Sequence, residues 1–405
     1  MSTNQGLGRA FRHRSFVALW LSSGIATLGD SYYRVALAWW VMEKTGSGLA
    51  MGTVVICGIV PSIPFLLIGG VLSDRSNRVN IMSNIMFLRC ALSGSLAVLA
   101  ITDNLEIWHV YTAAGLFGVF GGFYFPALSA VIPQVVPPED RPSANALRGV
   151  TRQLASVLGP LAAAATVTTD TNWLGFAVHS VGFGVAAISI QWLRKLHVPP
   201  RAQVKSNIIG DVRAGFAFIK REPWLWVTIL AFFVINPACA PMFNIVLSFF
   251  VKANSYDASA LGILEAVVAA GTVVGGMWLG RRAKIPRRGW VLYLAVAAQG
   301  LAWLLFPISG SLWGLAGLAG FAGFLGSIYT LTWTTLMQDF VPDEQFGRVS
   351  SLDQITAVIT VPLGVAAAGW GLDEFGVTTV CLIAGALTTL PALAALAHPK
   401  IREID

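Results

Sequence analysis

With 405 residues, 55% of them hydrophobic and only 12% charged, and a mean hydropathy of +0.69, the chain falls far below the charge content of a water-soluble domain. Composition therefore excludes a soluble enzyme and points to an all-α, multi-pass protein integral to a lipid bilayer. The net charge of +7 is read as loop basicity of a membrane protein, not as a nucleic-acid surface.

Arg9, Arg12 and Arg14 precede the first apolar run, 16–42, which is too long for a signal-peptide core of about 7–15 residues and reads as a retained first helix. Eleven further runs reach the roughly 20 residues that a crossing helix needs: 49–72, 80–101, 107–133, 144–168, 173–194, 224–251, 259–279, 289–308, 312–337, 347–370 and 374–397. Loops between them are short except for 195–223. The expectation is twelve transmembrane helices in two six-helix, pseudo-symmetric bundles, 1–195 and 224–405, joined by a cytoplasmic linker, 196–223. Of the 27 Lys and Arg residues, 21 fall at the termini, in the even-numbered loops or at the run ends bordering those loops (Arg194 and Arg348), and only Lys44 and Lys252 in the odd-numbered ones. This bias places both termini in the cytoplasm and the protein in the plasma (inner) membrane. Val136-Pro137-Pro138-Glu139-Asp140 before the fifth run is echoed by Val341-Pro342-Asp343-Glu344 before the eleventh, six runs later, as expected of an internal repeat.

Within the linker, Ser206 is placed to cap a short helix from Ile208 to Lys220. Val212, Phe216 and Ile219 share one face of it, which is expected to lie on the cytoplasmic membrane surface. Trp20, Trp108, Trp173, Trp192, Trp224, Trp226, Trp290 and Trp313 lie near run ends and read as interfacial anchors. The four cysteines lie inside apolar runs and read as small hydrophobes, with neither a disulfide nor a metal site expected.

The most specific string is Gly70-Val71-Leu72-Ser73-Asp74-Arg75-Ser76-Asn77-Arg78-Val79, a charged hairpin between the second and third runs. It resembles the Gly-x-x-x-Asp-Arg-x-Gly-Arg-Arg/Lys signature of the major facilitator superfamily. Gly70, Asp74, Arg75 and Arg78 match; Asn77 stands for the second glycine, with a left-handed backbone expected there, and Val79 for a cation. Leu28-Gly29-Asp30, Phe123-Tyr124-Phe125-Pro126-Ala127, Arg152-Gln153-Leu154 and Asp211-Val212-Arg213-Ala214-Gly215-Phe216 are similar to the drug and siderophore exporter branch, which includes macrolide, tetracycline and enterobactin exporters. Gly159-Pro160 in the fifth run matches part of an exporter motif, giving close helix approach and a bend. The arginine that many proton-coupled antiporters carry in helix 4 is absent.

The resemblance implies that helices 1, 4, 7 and 10 line a central cavity, and that Asp74 meets the start of helix 11 near Gly347 to Val349. Arg75 and Arg78 would reach carboxylates such as Asp339 and Glu139, holding the cytoplasmic side shut. Ionisable residues inside spans are costly and face protein or water. Asp30, with Arg34 one turn on, either exchanges a proton and attracts a cationic substrate or forms a structural bridge. Glu265, without an evident local partner, and Asp353 are further protonation candidates, Asp353 alternatively pairing with Arg148 or Arg152. Arg89 and His179 are expected at the periphery, as a snorkelling cation and a hydrogen-bonded neutral ring. Asn236-Pro237 and Pro241 loosen the seventh span. With Phe243, Asn244, Tyr329, Trp333, Phe123 and Tyr124 they suggest an aromatic pocket for a large amphiphile.

The functional expectation is a proton-coupled exporter of amphiphilic drugs or natural products, acting as a monomer with protons and a small amphiphilic substrate as partners. It needs no cofactor beyond the proton gradient. A dedicated exporter of one metabolite such as a siderophore, a lipid-handling carrier, and a transport-inactive sensor or scaffold are the alternatives. No nucleotide loop or nucleophile–His–acid pattern suggests an enzyme.

Overall fold

Apolar runs longer than a bilayer is thick fold here into helices that satisfy their own backbone polar groups. The computed structural model describes residues 9–167, 171, 173–193, 208–282 and 285–404. Among these, helices are α1 (Arg14–Thr45), α2 (Gly48–Arg75), α3 (Arg78–Ile101), α4 (Ile107–Val135), α5 (Arg141–Thr166), α6 (Trp173–Gln191) and α7 (Ile208–Arg221). They continue with α8 (Pro223–Pro241), α9 (Leu247–Ala253), α10 (Ala258–Gly280), α11 (Arg288–Leu305), α12 (Leu312–Phe340), α13 (Asp343–Ala397) and α14 (Pro399–Arg402). Nine helical stretches of the described residues are long and apolar enough to cross a membrane. Two long helices, α1 and α5, fall outside that group.

The chain divides into two units. In the first, α1 packs on α5 and α6, and α3 packs on α6 and α4. Phe16, Leu19, Met82, Met86, Phe183 and Ile190 fill its core. Glycine permits close helix approach: a Cβ on Gly159 of α5 would sit 2.5 Å from the Ser31 Cβ of α1. Pro160 lies inside α5.

In the second unit, α13 packs on α8, α11 and α7. Tyr293 donates to Thr228 Oγ1 (2.8 Å), and Gln299 donates to the Ala322 carbonyl (2.8 Å), satisfying polar groups inside an apolar core. This unit includes Gly46–Gly52. Asp373 caps the first turn of α2 there, its two oxygens accepting from Gly48 N (2.6 Å) and Leu49 N (3.0 Å).

Four expectations change. The break between the eleventh and twelfth runs falls not at 371–373 but at Gly376, where α13 kinks between two helical halves and a φ of 75° suits glycine. Asn77 is not left-handed: at φ −68° and ψ 110° it is an extended cap for α3, its side-chain oxygen accepting from Val79 N and Asn80 N. Helix α7 buries Gly215 and Ile219 and half-buries Phe218, with Gly215 set against Arg348 and Leu352 of α13, while Phe216 is 65% exposed. The predicted apolar face is thus split, with Ile219 entering the core and Phe216 staying outside it. Ser206, and the side chain of Val212, lie outside the described residues. Finally, Trp224 is buried in the second core and Trp20 faces a cavity, so neither is an interfacial anchor, whereas Trp108, Trp192 and Trp313 are well exposed.

Candidate functional site

Helical spacing puts Trp20, Ser23, Thr27 and Asp30 on one face of α1. Opposite them, α5 presents Arg148, Thr151 and Arg152, α3 presents Met86 and Arg89, and α4 presents Tyr124 and Phe125. Together they line a cavity of about 540 Å³ within the first unit, in the range of small-molecule sites. Trp20 Nε1 donates to Thr151 Oγ1 (2.8 Å), tying α1 to α5 at its wall.

Behind Asp30 runs a line of hydrogen bonds. Asp30 Oδ1 lies 2.9 Å from His179 Nε2 of α6, and His179 Nδ1 lies 2.9 Å from Ser93 Oγ of α3. His179 is 2% exposed, while the Asp30 side chain is 52% exposed. Tyr33 stacks on the imidazole, with centroids 4.0 Å apart and planes 4° from parallel. An ionised carboxylate can only accept, so with Asp30 charged Nε2–H donates to it and the neutral ring's Nδ1 accepts from the Ser93 hydroxyl. The ring is thus held in one tautomer, with its outer end at a carboxylate open to the cavity.

Arg89 is the second feature. It is 9% exposed, and Nη2 donates to the Phe117 carbonyl (3.3 Å). Its guanidinium carbon lies 5.3 Å from the Phe183 ring and 5.8 Å from the rings of Phe117 and Tyr124, an aromatic cage. Its Nε has no hydrogen-bond partner among the described residues.

Of the residues singled out in the sequence, Asp30 and Tyr124 meet at this cavity. Arg89, expected as a snorkelling cation at the periphery, lines it, while His179, expected as a hydrogen-bonded ring, is one, set behind Asp30 and outside the lining. The physical reason is that α6 turns His179 toward α1, where it meets the Asp30 carboxylate, and Arg89 of α3 turns toward ring faces of α4 and α6. The signal was present as isolated polar residues in apolar runs, but nothing local named their partners. Phe123 packs instead against Phe65, 5.5 Å between centroids. Arg34 is exposed on α1; the carboxylate of Asp30 is engaged by His179.

In the second unit, Trp333 Nε1 donates to Asp353 Oδ2 (3.1 Å). Trp333 and Tyr329 pack with Phe232. Asn236 is half-buried on α8. Beyond Pro241 the helix widens into a π turn, Met242–Val246, a form frequent at functional sites. There Phe243 meets Trp303 edge-on at 4.9 Å, and Asn244 donates to the Ala240 carbonyl (2.7 Å). Glu265 is half-buried on α10 and is not an isolated carboxyl, so the lack of a partner in its local sequence does not carry over to the fold.

At the signature hairpin, Arg78 is buried and its Nε donates to the Ser73 carbonyl (3.0 Å), closing the end of α2. Asp339 is held by Arg288. Gly70 and the side chains of Asp74 and Arg75 are not described beyond their place in the helix. In the next such connection, Asp140 Oδ1 lies 3.0 Å from Arg9 Nε, and Asp140 Oδ2 lies 2.9 Å from His13 Nε2. The His13 hydrogen bond, with Arg9 nearby, holds the Asp140 carboxyl below the usual carboxylate range.

The family model of the Major Facilitator Superfamily matches residues 19–352 and 238–402. Macrolide efflux protein A of Streptococcus pyogenes is 24% identical over 406 residues, covering 96% of this chain and 97% of that protein. Enterobactin exporter EntS of Salmonella typhimurium is 26% identical, covering 88% and 85%. Among solved structures, nucleoside transporter NupG superimposes with a TM-score of 0.74 at 11% identity, covering 96% of this chain and 100% of that one. A bacterial homologue of the iron transporter ferroportin, inward-facing, gives 0.71 at 14%, covering 95% and 99%. A helical membrane fold, a cavity lined by charged residues and a family match spanning nearly the whole chain lead to one assignment: the chain belongs to the Major Facilitator Superfamily and is a transporter, not an enzyme.

Proposed function

We propose that this transporter is a proton-coupled exporter of amphiphilic drugs or natural products, working by alternating access. In this reading twelve helices cross the plasma membrane, α1 and α5 among them, with both termini in the cytoplasm. The observation that carries it is the Asp30–His179–Ser93 line: a carboxylate open to the cavity, backed by a buried imidazole whose N–H complements its charge. Protonating Asp30 removes the charge that the imidazole N–H complements, which changes the stability of the α1–α6 contact and biases a two-state equilibrium. Export, rather than uptake, is supported by the macrolide and enterobactin exporters among the relatives. The signature hairpin acts in this scheme as the cytoplasmic latch, with Asp74 and Arg75 as its charged members.

The test is counterflow in proteoliposomes with an imposed pH gradient, starting from a macrolide and a catecholate siderophore. Flux that follows the gradient in the wild type and ceases to follow it in Asp30→Asn is expected. Gradient-driven flux at the wild-type rate in Asp30→Asn would falsify the assignment of the proton site.

A further inference from the structure

The charge balance of the first unit's cavity names a substrate class. Three guanidiniums, Arg89, Arg148 and Arg152, line it, and Asp30 is the sole carboxylate among its described lining residues. That carboxylate is already engaged by His179. Arg89 is more than nine-tenths buried, rests on ring faces instead of a carboxylate, and leaves Nε without a partner among the described residues. Arg148 and Arg152, four apart on one face of α5, form no ion pair with a described residue. Holding three cations in an apolar helix bundle is costly; two of them adjacent and of like sign add repulsion. An occupant that supplies negative charge offsets both costs.

We infer that the cavity binds an amphiphilic anion: an acidic head, carboxylate, phosphate or ionised phenol, set between Arg148, Arg152 and Arg89, with an apolar or aromatic body against Trp20, Tyr124 and Phe125. Arginine suits this task because its fork matches a planar or tetrahedral anion with paired hydrogen bonds. The aromatic cage keeps the Arg89 fork in place without neutralising it. The assignment rests on the exporter reading for its transport meaning. It reverses the expectation from sequence that Asp30 attracts a cationic substrate: Asp30 is left for the proton, and the arginines take the cargo.

The experiment uses the purified full chain in neutral maltoside detergent and three probes that share a naphthyl body and differ in the head: carboxylate, hydroxyl and trimethylammonium. Affinity is read from the concentration dependence of the thermal unfolding midpoint. The carboxylate is expected to bind tightest. Arg148→Gln/Arg152→Gln is expected to weaken it by about tenfold or more, the size of a lost charge-assisted contact, leaving the alcohol unchanged. Arg148→Lys/Arg152→Lys, which keeps the charge, should retain most of the affinity and guards against a folding defect. Tighter binding of the ammonium probe, binding of none of the three, or full carboxylate affinity in the Gln variant each overturns the inference. Failure of the exporter reading shows separately, as carboxylate binding without gradient-driven flux.

Discussion

Asp30 and His179 are joined by a 2.9 Å contact between a carboxylate that faces a cavity and an imidazole that faces none. One member therefore meets water and the other supplies the protein's response. Replacing Asp30 by Asn keeps the shape and a hydrogen bond but removes the charge. Asp30→Asn is expected to keep its unfolding midpoint near the wild-type value while gradient-driven flux falls by roughly tenfold or more. His179→Gln should also lose the coupling, and it should lower the midpoint as well, because the stacked ring against Tyr33 and the bond to Ser93 are lost. Flux and midpoint measured on the same preparations check both.

Arg89 is a buried cation held without a carboxylate. Apolar replacements of buried charges are often neutral or stabilising, even though removing one partner of a pair is costly. Arg89→Met is expected to unfold no earlier than the wild type and to bind the carboxylate probe more weakly. A marked drop in the midpoint, measured by thermal unfolding in detergent, would show instead that the cation–π cage stabilises the unit.

Gly159 is positioned for close approach of α1 and α5. A Cβ there meets Ser31 at 2.5 Å and the Tyr32 backbone nitrogen at 2.9 Å, neither able to swing aside. Gly159→Ala should destabilise by about 1–3 kcal/mol, the cost of overpacking, and Gly159→Val by more. Gly149, with nothing within 4 Å of its Cβ, is the control: Gly149→Ala should be tolerated.

Asp140 ties the N-terminal segment to the start of α5 through His13 and Arg9. Its carboxyl titrates below the usual range in the folded state, chiefly because of the His13 hydrogen bond. A depressed acid contributes stability that is fully present above the unfolded-state pKa of about 3.9. That contribution is lost as pH falls through the folded-state value. Asp140→Asn is therefore expected to unfold earlier than the wild type at pH 7, with the difference shrinking as pH falls below about 4. Unfolding midpoints across that range check the sign.

Much of the fold was legible because a bilayer leaves the chain few choices. Twelve apolar runs, the signature hairpin and the Pro-rich repeats pointed to the superfamily before any contact was known. Asp30 was legible too, as a carboxylate deep in an apolar run. Its partner was not, because His179 lies 149 positions away and helical periodicity relates only near neighbours. Arg89 was misplaced for a related reason: the feature that retains it is three ring faces from α4 and α6, and aromatic residues in apolar runs look alike until packing selects among them. At Asn77, family likeness suggested a glycine-like backbone, whereas the side-chain amide offered a cap.

The polar stripes of α1 and α5 also bear on how the protein is made. In this sequence α1 carries Ser23, Thr27, Asp30 and Arg34, and its complements, α5 and α6, are synthesised more than a hundred residues after it. Until then its hydrophilic edge has no companion in the hydrocarbon. The nascent segment must wait beside the insertion machinery, or at the headgroups, for its neighbours to arrive. The side chains that equip the finished carrier to handle charge thus impose an order on its own biogenesis.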